Sequence, residues 1–204
     1  LYLAVQSLPA FHAMSHHPNL LKVYRHLFGE EVFVHPRNIM RLMFPSKDAA
    51  PTPPHQDLIY INGTFNTWTS WVPIGDCPME LGNLAVSKCS HTSGVLPAKT
   101  GKGAGGLESI LDSIEEDWVY FNYQAGDVLT FPSLTVHKST PSSRPEQIRL
   151  SLDFRYQPIS EPIHESSLKP HLNIAGWDKI YQDWPEGSRQ YYWENLNLDV
   201  TKST

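Results

Sequence analysis

The stretch Pro53-Pro54-His55-Gln56-Asp57, followed at once by Leu58-Ile59-Tyr60-Ile61, decides how the rest of the chain is read. The β-branched and aromatic residues of its second half predict a strand. In extended backbone alternate side chains share a face, so His55 and Asp57 project together with Cβ atoms roughly 7 Å apart. An imidazole and a carboxylate on one face suit a borderline first-row ion. A second histidine from elsewhere in the chain would complete the facial set used by non-haem Fe(II) enzymes.

Working outward, Pro18 opens a helix whose apolar positions Leu20, Leu21, Tyr24, Leu27 and Phe28 follow a 3.6-residue period and which Gly29 ends. This helix is expected to cover the outside of a sheet. Glu31 to Phe44 reads as two short strands around Pro36, and Pro45 to Pro54 as a loop. Further strands are predicted at Thr67–Ile74, from Leu84, at Trp118–Phe121, at Asp127–Phe131 and at Ile148–Tyr156. Between them, Pro97 to Gly106 is rich in Gly and Lys and is expected to be mobile, and Leu107–Ile114 to be a short helix stopped by Glu115-Glu116-Asp117. A last amphipathic helix is expected around Trp177, Ile180, Tyr181 and Trp184. Many short strands with few helices predict a mainly β jelly roll, cupin-like, with flanking helices.

The chain has 204 residues, 18% of them charged and 11% aromatic. That length fits a single domain over 1–204, with 157–204 as a helical and aromatic extension. The net charge of −5, with no clustered Lys/Arg run, argues against nucleic acid and anionic membrane as partners. A small molecule is the expected partner. Cys77 and Cys89 lack C-x-x-C spacing, and the opening Leu1-Tyr2-Leu3-Ala4-Val5 lacks a basic n-region, so a cytoplasmic protein with reduced thiols is expected. The absence of an initial Met suggests a missing N-terminal piece.

The second histidine is sought where a strand meets polar turn residues, and Leu134-Thr135-Val136-His137-Lys138-Ser139 offers it at His137. Twelve residues later Arg149 opens an alternating strand in which Arg149, Ser151, Asp153 and Arg155 share a face. A basic, hydroxylated stripe inside a barrel calls for a buried anion. Gly101 to Gly106 fits G-x-G-x-x-G literally, but no strand precedes it and no βαβ unit follows, so a flap beside the site is the better reading. His12, His16, His17, His26 and His35 show no ligand spacing and are read as packing or surface residues.

His55-Gln56-Asp57-Leu58, Trp71, Glu80-Leu81-Gly82-Asn83-Leu84, Ser90-His91, Ala125-Gly126-Asp127-Val128, His137-Lys138-Ser139 and Arg149, in this order, resemble the phytanoyl-CoA dioxygenase family of Fe(II)/2-oxoglutarate oxygenases. The likeness runs from about position 20 to position 156. It implies a double-stranded β-helix, an iron triad of His55, Asp57 and His137, and Arg149 as the partner of the distal carboxylate of 2-oxoglutarate. Trp71, Ser139 and Ser151 would line the cosubstrate pocket, with Arg144 as the fallback anion partner and His91 structural. Retention of Asp57, which related halogenases replace by a small residue, implies hydroxylation or a related two-electron oxidation by O₂ rather than halogenation. Tyr60, Trp68, Arg41 and Arg155 are secondary candidates for substrate contact, core packing or a salt bridge to Asp153 explaining them equally well. Two other readings stand beside this one: a catalytically silent binding module, and a cupin-like metalloenzyme that does not use 2-oxoglutarate.

Overall fold

The computed structural model describes residues 1–45, 50–114 and 117–202. In chain order the helices are α1 (Tyr2–Gln6), α2 (Pro9–Ser15), α3 (Pro18–Phe28), α4 (Leu58–Ile61) and α5 (Trp177–Ile180). The strands are β1 (Val32–Val34), β2 (Ile39–Met43), β3 (Trp68–Pro73), β4 (Leu84–Ser87), β5 (Ala98–Thr100) and β6 (Leu107–Ser109). They continue with β7 (Trp118–Val119), β8 (Leu129–Pro132), β9 (His137–Ser139), β10 (Arg149–Pro158), β11 (Ile163–His164) and β12 (Val200–Thr201). These residues divide into two compact units: Leu1–Met40 with Ile61–Thr69 and Asp153–Thr204, and Arg41–Tyr60 with Ser70–Leu152.

The unit built from Arg41–Tyr60 and Ser70–Leu152 carries the candidate site. One of its sheets is antiparallel in the order β7-β4-β9, with Leu84 opposite Ser139 and Val86 opposite both His137 and Val119. The other brings together β10, β3 and β8 in that order. Trp71 of β3, Leu84 of β4 and Phe131 of β8 form one buried cluster with Cys77, Leu81 and Tyr123. Each large apolar side chain so buried contributes about 1.5–3 kcal/mol, enough for the cluster to hold the two sheets face to face. This is the mainly β, two-sheet arrangement that the short-strand pattern predicts.

In the other unit α3 runs as its periodicity predicts, from Pro18 at its first turn to Gly29, whose φ of 71° is the left-handed conformation that ends helices. Tyr24 on its buried face stacks on Tyr156 of β10 at 4.0 Å. The short strand β1 pairs antiparallel with the far half of β10, Val34 lying opposite Tyr156. Phe33, Ile163, Ile180, Tyr181 and Trp193 form a second core.

Three local expectations are corrected. Leu58–Ile61 is a helical turn, not a strand: His55 and His137 exchange hydrogen bonds in a single bridge, after which Asp57 O accepts from Tyr60 N at 3.0 Å and winds the chain up. Leu107–Ile114 is not a helix, because Thr100 and Leu107 pair across a hairpin and only a turn from Leu111 to Ile114 follows. The Gly/Lys segment before it, expected to be mobile, supplies the other strand of that hairpin. The last helix is confined to Trp177–Ile180, with the rings of Tyr181 and Trp184 held instead by ring contacts at 4.5–5.1 Å. The stop assigned to Glu115-Glu116 and part of the loop assigned to Pro45–Pro54 lie outside the described residues. Cys77 and Cys89 are free thiols, as expected. Among the described residues no helix is long and apolar enough to cross a membrane.

Candidate metal centre

β9 runs between β4 and the Pro53–Asp57 segment, and this places His137 beside His55. Their backbones bond reciprocally, His55 N to His137 O and His137 N to His55 O, both at 3.0 Å. The rings lie 4.1 Å apart. Each imidazole is oriented by a carbonyl two residues earlier, His55 Nδ1 donating to Pro53 O at 2.8 Å and His137 Nδ1 to Thr135 O at 2.9 Å. A carbonyl oxygen only accepts, so Nδ1 carries a proton in both rings, and a neutral ring then bears its lone pair on Nε2.

Both Nε2 atoms face the same oxygen. Asp57 Oδ1 is 3.8 Å from His55 Nε2 and 3.8 Å from His137 Nε2. That separation is too long for a hydrogen bond, so the three groups converge without satisfying one another. Among the described residues they form a buried group whose ligand atoms lie within 4.8 Å of each other. Burial, then the adjacent His137, pushes the His55 imidazole down to about 3, so the ring is held in the neutral form that binds metals. Two imidazoles and a carboxylate, the rings backed by carbonyls that orient them, are a donor set suited to Fe(II).

A second locus forms around Arg149, at the start of β10 and 2% exposed. Its guanidinium carbon lies 5.5 Å from the centre of the Trp71 ring, which meets Tyr123 edge-on at 5.0 Å. Ser151 follows two residues along the same face of the strand and is fully buried. Trp71 Nε1, Tyr123 Oη and Ser151 Oγ are buried with no hydrogen-bond partner among the described residues. Each such group costs about 1–3 kcal/mol when left unsatisfied, a cost that a polar ligand beside Arg149 would remove. A cavity of about 440 Å³, lined by Ile74, Asp76, Cys77, Leu81, Arg144 and Arg149, opens beside this guanidinium. The buried hydroxyls, indole N–H and guanidinium fit a carboxylate such as the distal one of 2-oxoglutarate.

The remaining sequence candidates separate. Ser139 is buried in β9, two residues from His137 on the same face. Arg144 is on the surface, its side chain 48% exposed and 3.9 Å from Glu80, which disfavours it as the anion partner. His91 is exposed in the short 3₁₀ turn Ser90–Ser93, whose Ser90 Oγ accepts from Val136 N at 2.9 Å. Arg41 acts on His55 through its charge, Trp68 is half-buried at the start of β3, and Arg155 is buried in the other unit. Of the histidines outside the triad, His12 and His35 are buried and His17 and His26 exposed. Sequence reading overlooked Tyr123, which joins the site through an isolated bridge to Cys77, and Phe131, whose ring lies 4.6 Å from that of His137. Neither carries a local pattern that announces such contacts.

Comparison with known proteins agrees with this architecture. A profile of phytanoyl-CoA dioxygenases matches residues 3–149. A protein of Streptomyces arenae named 1-deoxypentalenic acid 11-beta-hydroxylase is 31% identical over 186 residues, covering 85% of this chain and 61% of that relative. The counterpart of the same name from Streptomyces exfoliatus is 30% identical over 187 residues, with the same coverage. The chain thus spans 61% of the length of the relatives it matches. Among solved structures, the apo form of the non-heme monooxygenase ThoJ aligns with a TM-score of 0.62 at 22% identity, covering 72% of this chain and 55% of that one. The epimerase SnoN from nogalamycin biosynthesis, in complex with Fe³⁺, alpha ketoglutarate and nogalamycin RO, aligns with a TM-score of 0.60 at 22% identity, over 74% of this chain and 59% of that one. At such identities these likenesses establish the fold, a double-stranded β-helix. The profile match spans well over half of the sequence, and on it the chain belongs to the phytanoyl-CoA dioxygenase family.

Proposed function

We propose that this chain is an Fe(II)- and 2-oxoglutarate-dependent dioxygenase that hydroxylates a C–H bond of a small organic molecule and releases succinate and CO₂. The observation that carries this reading is the pair of Nε2 lone pairs, both oriented by Nδ1 hydrogen bonds and both aimed at Asp57 Oδ1. His55, Asp57 and His137 would hold the iron as a facial triad. The Streptomyces relatives named as hydroxylases support a C–H hydroxylation.

Iron held there would, together with 2-oxoglutarate and O₂, supply the oxidising chemistry. The chain supplies the orientation. Pro53 O and Thr135 O keep each imidazole proton on Nδ1, so that neither Nε2 is blocked. Arg149 would grip the distal carboxylate with a guanidinium fork, and the unpartnered Trp71 Nε1, Tyr123 Oη and Ser151 Oγ would donate to polar atoms of the same cosubstrate. Ser139, on the His137 face of β9, is the remaining proposed cosubstrate neighbour. The buried cluster of Leu81, Leu84 and Phe131 gives this end of the site an apolar wall.

Succinate formation from 2-oxoglutarate under Fe(II) and O₂, with and without candidate substrates, tests the proposal. A silent binding module forms none. A cupin-like enzyme that ignores 2-oxoglutarate keeps its activity when Arg149 is changed to Ala, whereas a 2-oxoglutarate oxygenase built on this guanidinium loses cosubstrate binding in that variant. His137→Ala, with two ligands left, is expected to retain no iron on desalting, and iron retained at wild-type stoichiometry would sink the triad.

A further inference from the structure

The G-x-G-x-x-G run of the hairpin supplies none of the residues assigned above to iron or cosubstrate, and its glycines are sites of close approach. Gly105 has φ +91°, and a Cβ there would lie 2.7 Å from Tyr60 Oη. At Gly103, with φ +110°, a Cβ would lie 2.3 Å from Pro51 O, and at Gly101 one would lie 3.2 Å from Pro53 Cγ. Ser109 N, at the end of β6, donates to Pro54 O at 2.8 Å. The hairpin is therefore seated on the segment that delivers His55.

Tyr60 joins the two. The helical turn that starts at Asp57 brings its ring edge-on to the His55 imidazole, centroids 5.6 Å apart at 76°. Its hydroxyl donates to Leu107 O at 3.3 Å, at the root of β6. The His55 ring is thus in contact with His137 and with a tyrosine whose far end is anchored in the hairpin.

We propose that Tyr60 is a positioning residue for the metal ligand His55, and that the glycine-rich hairpin is the brace that fixes Tyr60. The proposal rests on the metal-centre reading of His55, Asp57 and His137. The ring supplies the orienting contact, the hydroxyl anchors it, and the absent Cβ at residue 105 is what admits the hydroxyl. Removing the ring or displacing it frees His55 to rotate about the Nδ1 hydrogen bond, and partners that orient a metal ligand typically change affinity by about 10- to 100-fold.

The test is titration of the purified chain with Co(II), followed by calorimetry and by the visible Co(II) absorption. Tyr60→Leu and Gly105→Ala are expected to bind Co(II) at least about tenfold more weakly than wild type, while Tyr60→Phe, which keeps the ring contact and loses its anchor, is weakened less than Tyr60→Leu. At saturating metal Gly105→Ala should also show an altered Co(II) band, which a general loss of stability would not produce. Wild-type affinity in cooperatively folded Tyr60→Leu and Gly105→Ala overturns the proposal. If Tyr60→Leu does not fold, Gly105→Ala decides alone. A Tyr60→Phe variant as weak as Tyr60→Leu removes the ring from the account. Failure of the wild type itself to bind Co(II) would instead count against the metal centre, and is thereby told apart from failure of the brace.

Discussion

Gln56 stands between two of the candidate ligands in sequence and is fully buried. Its Nε2 donates to Gly94 O at 2.8 Å and to Leu134 O at 2.7 Å, and its Oε1 accepts from Leu96 N at 2.9 Å. Because Leu134 lies three residues before His137, this amide ties the arm carrying one imidazole to the segment carrying the other. Gln56→Met keeps the volume and strands one buried and two part-buried backbone groups, so a loss of about 2–4 kcal/mol in urea unfolding is expected. An unchanged midpoint would show that the clamp is dispensable. Arg149 invites a similar measurement. Hydrogen bonds to a charged group contribute about 1.5–3 kcal/mol, so Arg149→Gln should weaken 2-oxoglutarate binding by about 10- to 100-fold. Lys at 149 is not equivalent, since it lacks the fork.

Among the elements, the turn that feeds β4 is held as tightly as the hairpin. Gly82 has φ +74°, and a Cβ there would meet Thr140 O at 2.7 Å and Ser142 N at 2.9 Å, both backbone atoms that cannot swing away. Asn83 fastens the same corner, its backbone N donating to Thr140 Oγ1 at 2.9 Å and its Nδ2 to Phe121 O at 2.6 Å. Gly82→Ala should therefore destabilise by about 1–3 kcal/mol, read as a lower denaturation midpoint, because backbone strain at a left-handed position adds to the clash. β4 pairs with β9 along Leu84 to Val86, so slackening this corner is also expected to loosen His137. Elements differ in how far their own residues announce them. α3 carries a full set of periodic residues and a glycine stop. Leu107, Ile110, Leu111 and Ile114 are spaced as on a helix face, yet hairpin pairing of Leu107 with Thr100 prevailed.

At the scale of the molecule, several buried histidines make stability depend on pH. Burial lowers His12 from 6.5 to about 4 and His35 from 6.5 to about 3. The unfolded chain takes up a proton at these rings as pH falls below 6.5, and the folded chain does not until well below that. Stability is therefore fully present above 6.5 and is lost as pH falls toward 4, by up to about 1.4 kcal/mol per pH unit for each ring. Melting temperatures measured down a pH series should decline across this window, and a His12→Gln variant should decline less steeply. A flat profile would mean that these rings are protonated when folded.

Residue types and order alone determined a great deal about this protein: a mainly β chain, an H-x-D pair awaiting one more histidine, and an arginine opening an alternating strand. Those features are local or depend on a fixed period, and a linear string records them. The tertiary structure decided what depends on residues distant in the chain. It buried Arg149 and left Arg144 on the surface, turned Leu58–Ile61 into a helical turn once the bridge to His137 ended, and set the proton on Nδ1 of each imidazole. It also gave the glycines of the hairpin their purpose, since a missing Cβ has meaning only where another part of the chain comes close enough to need the space.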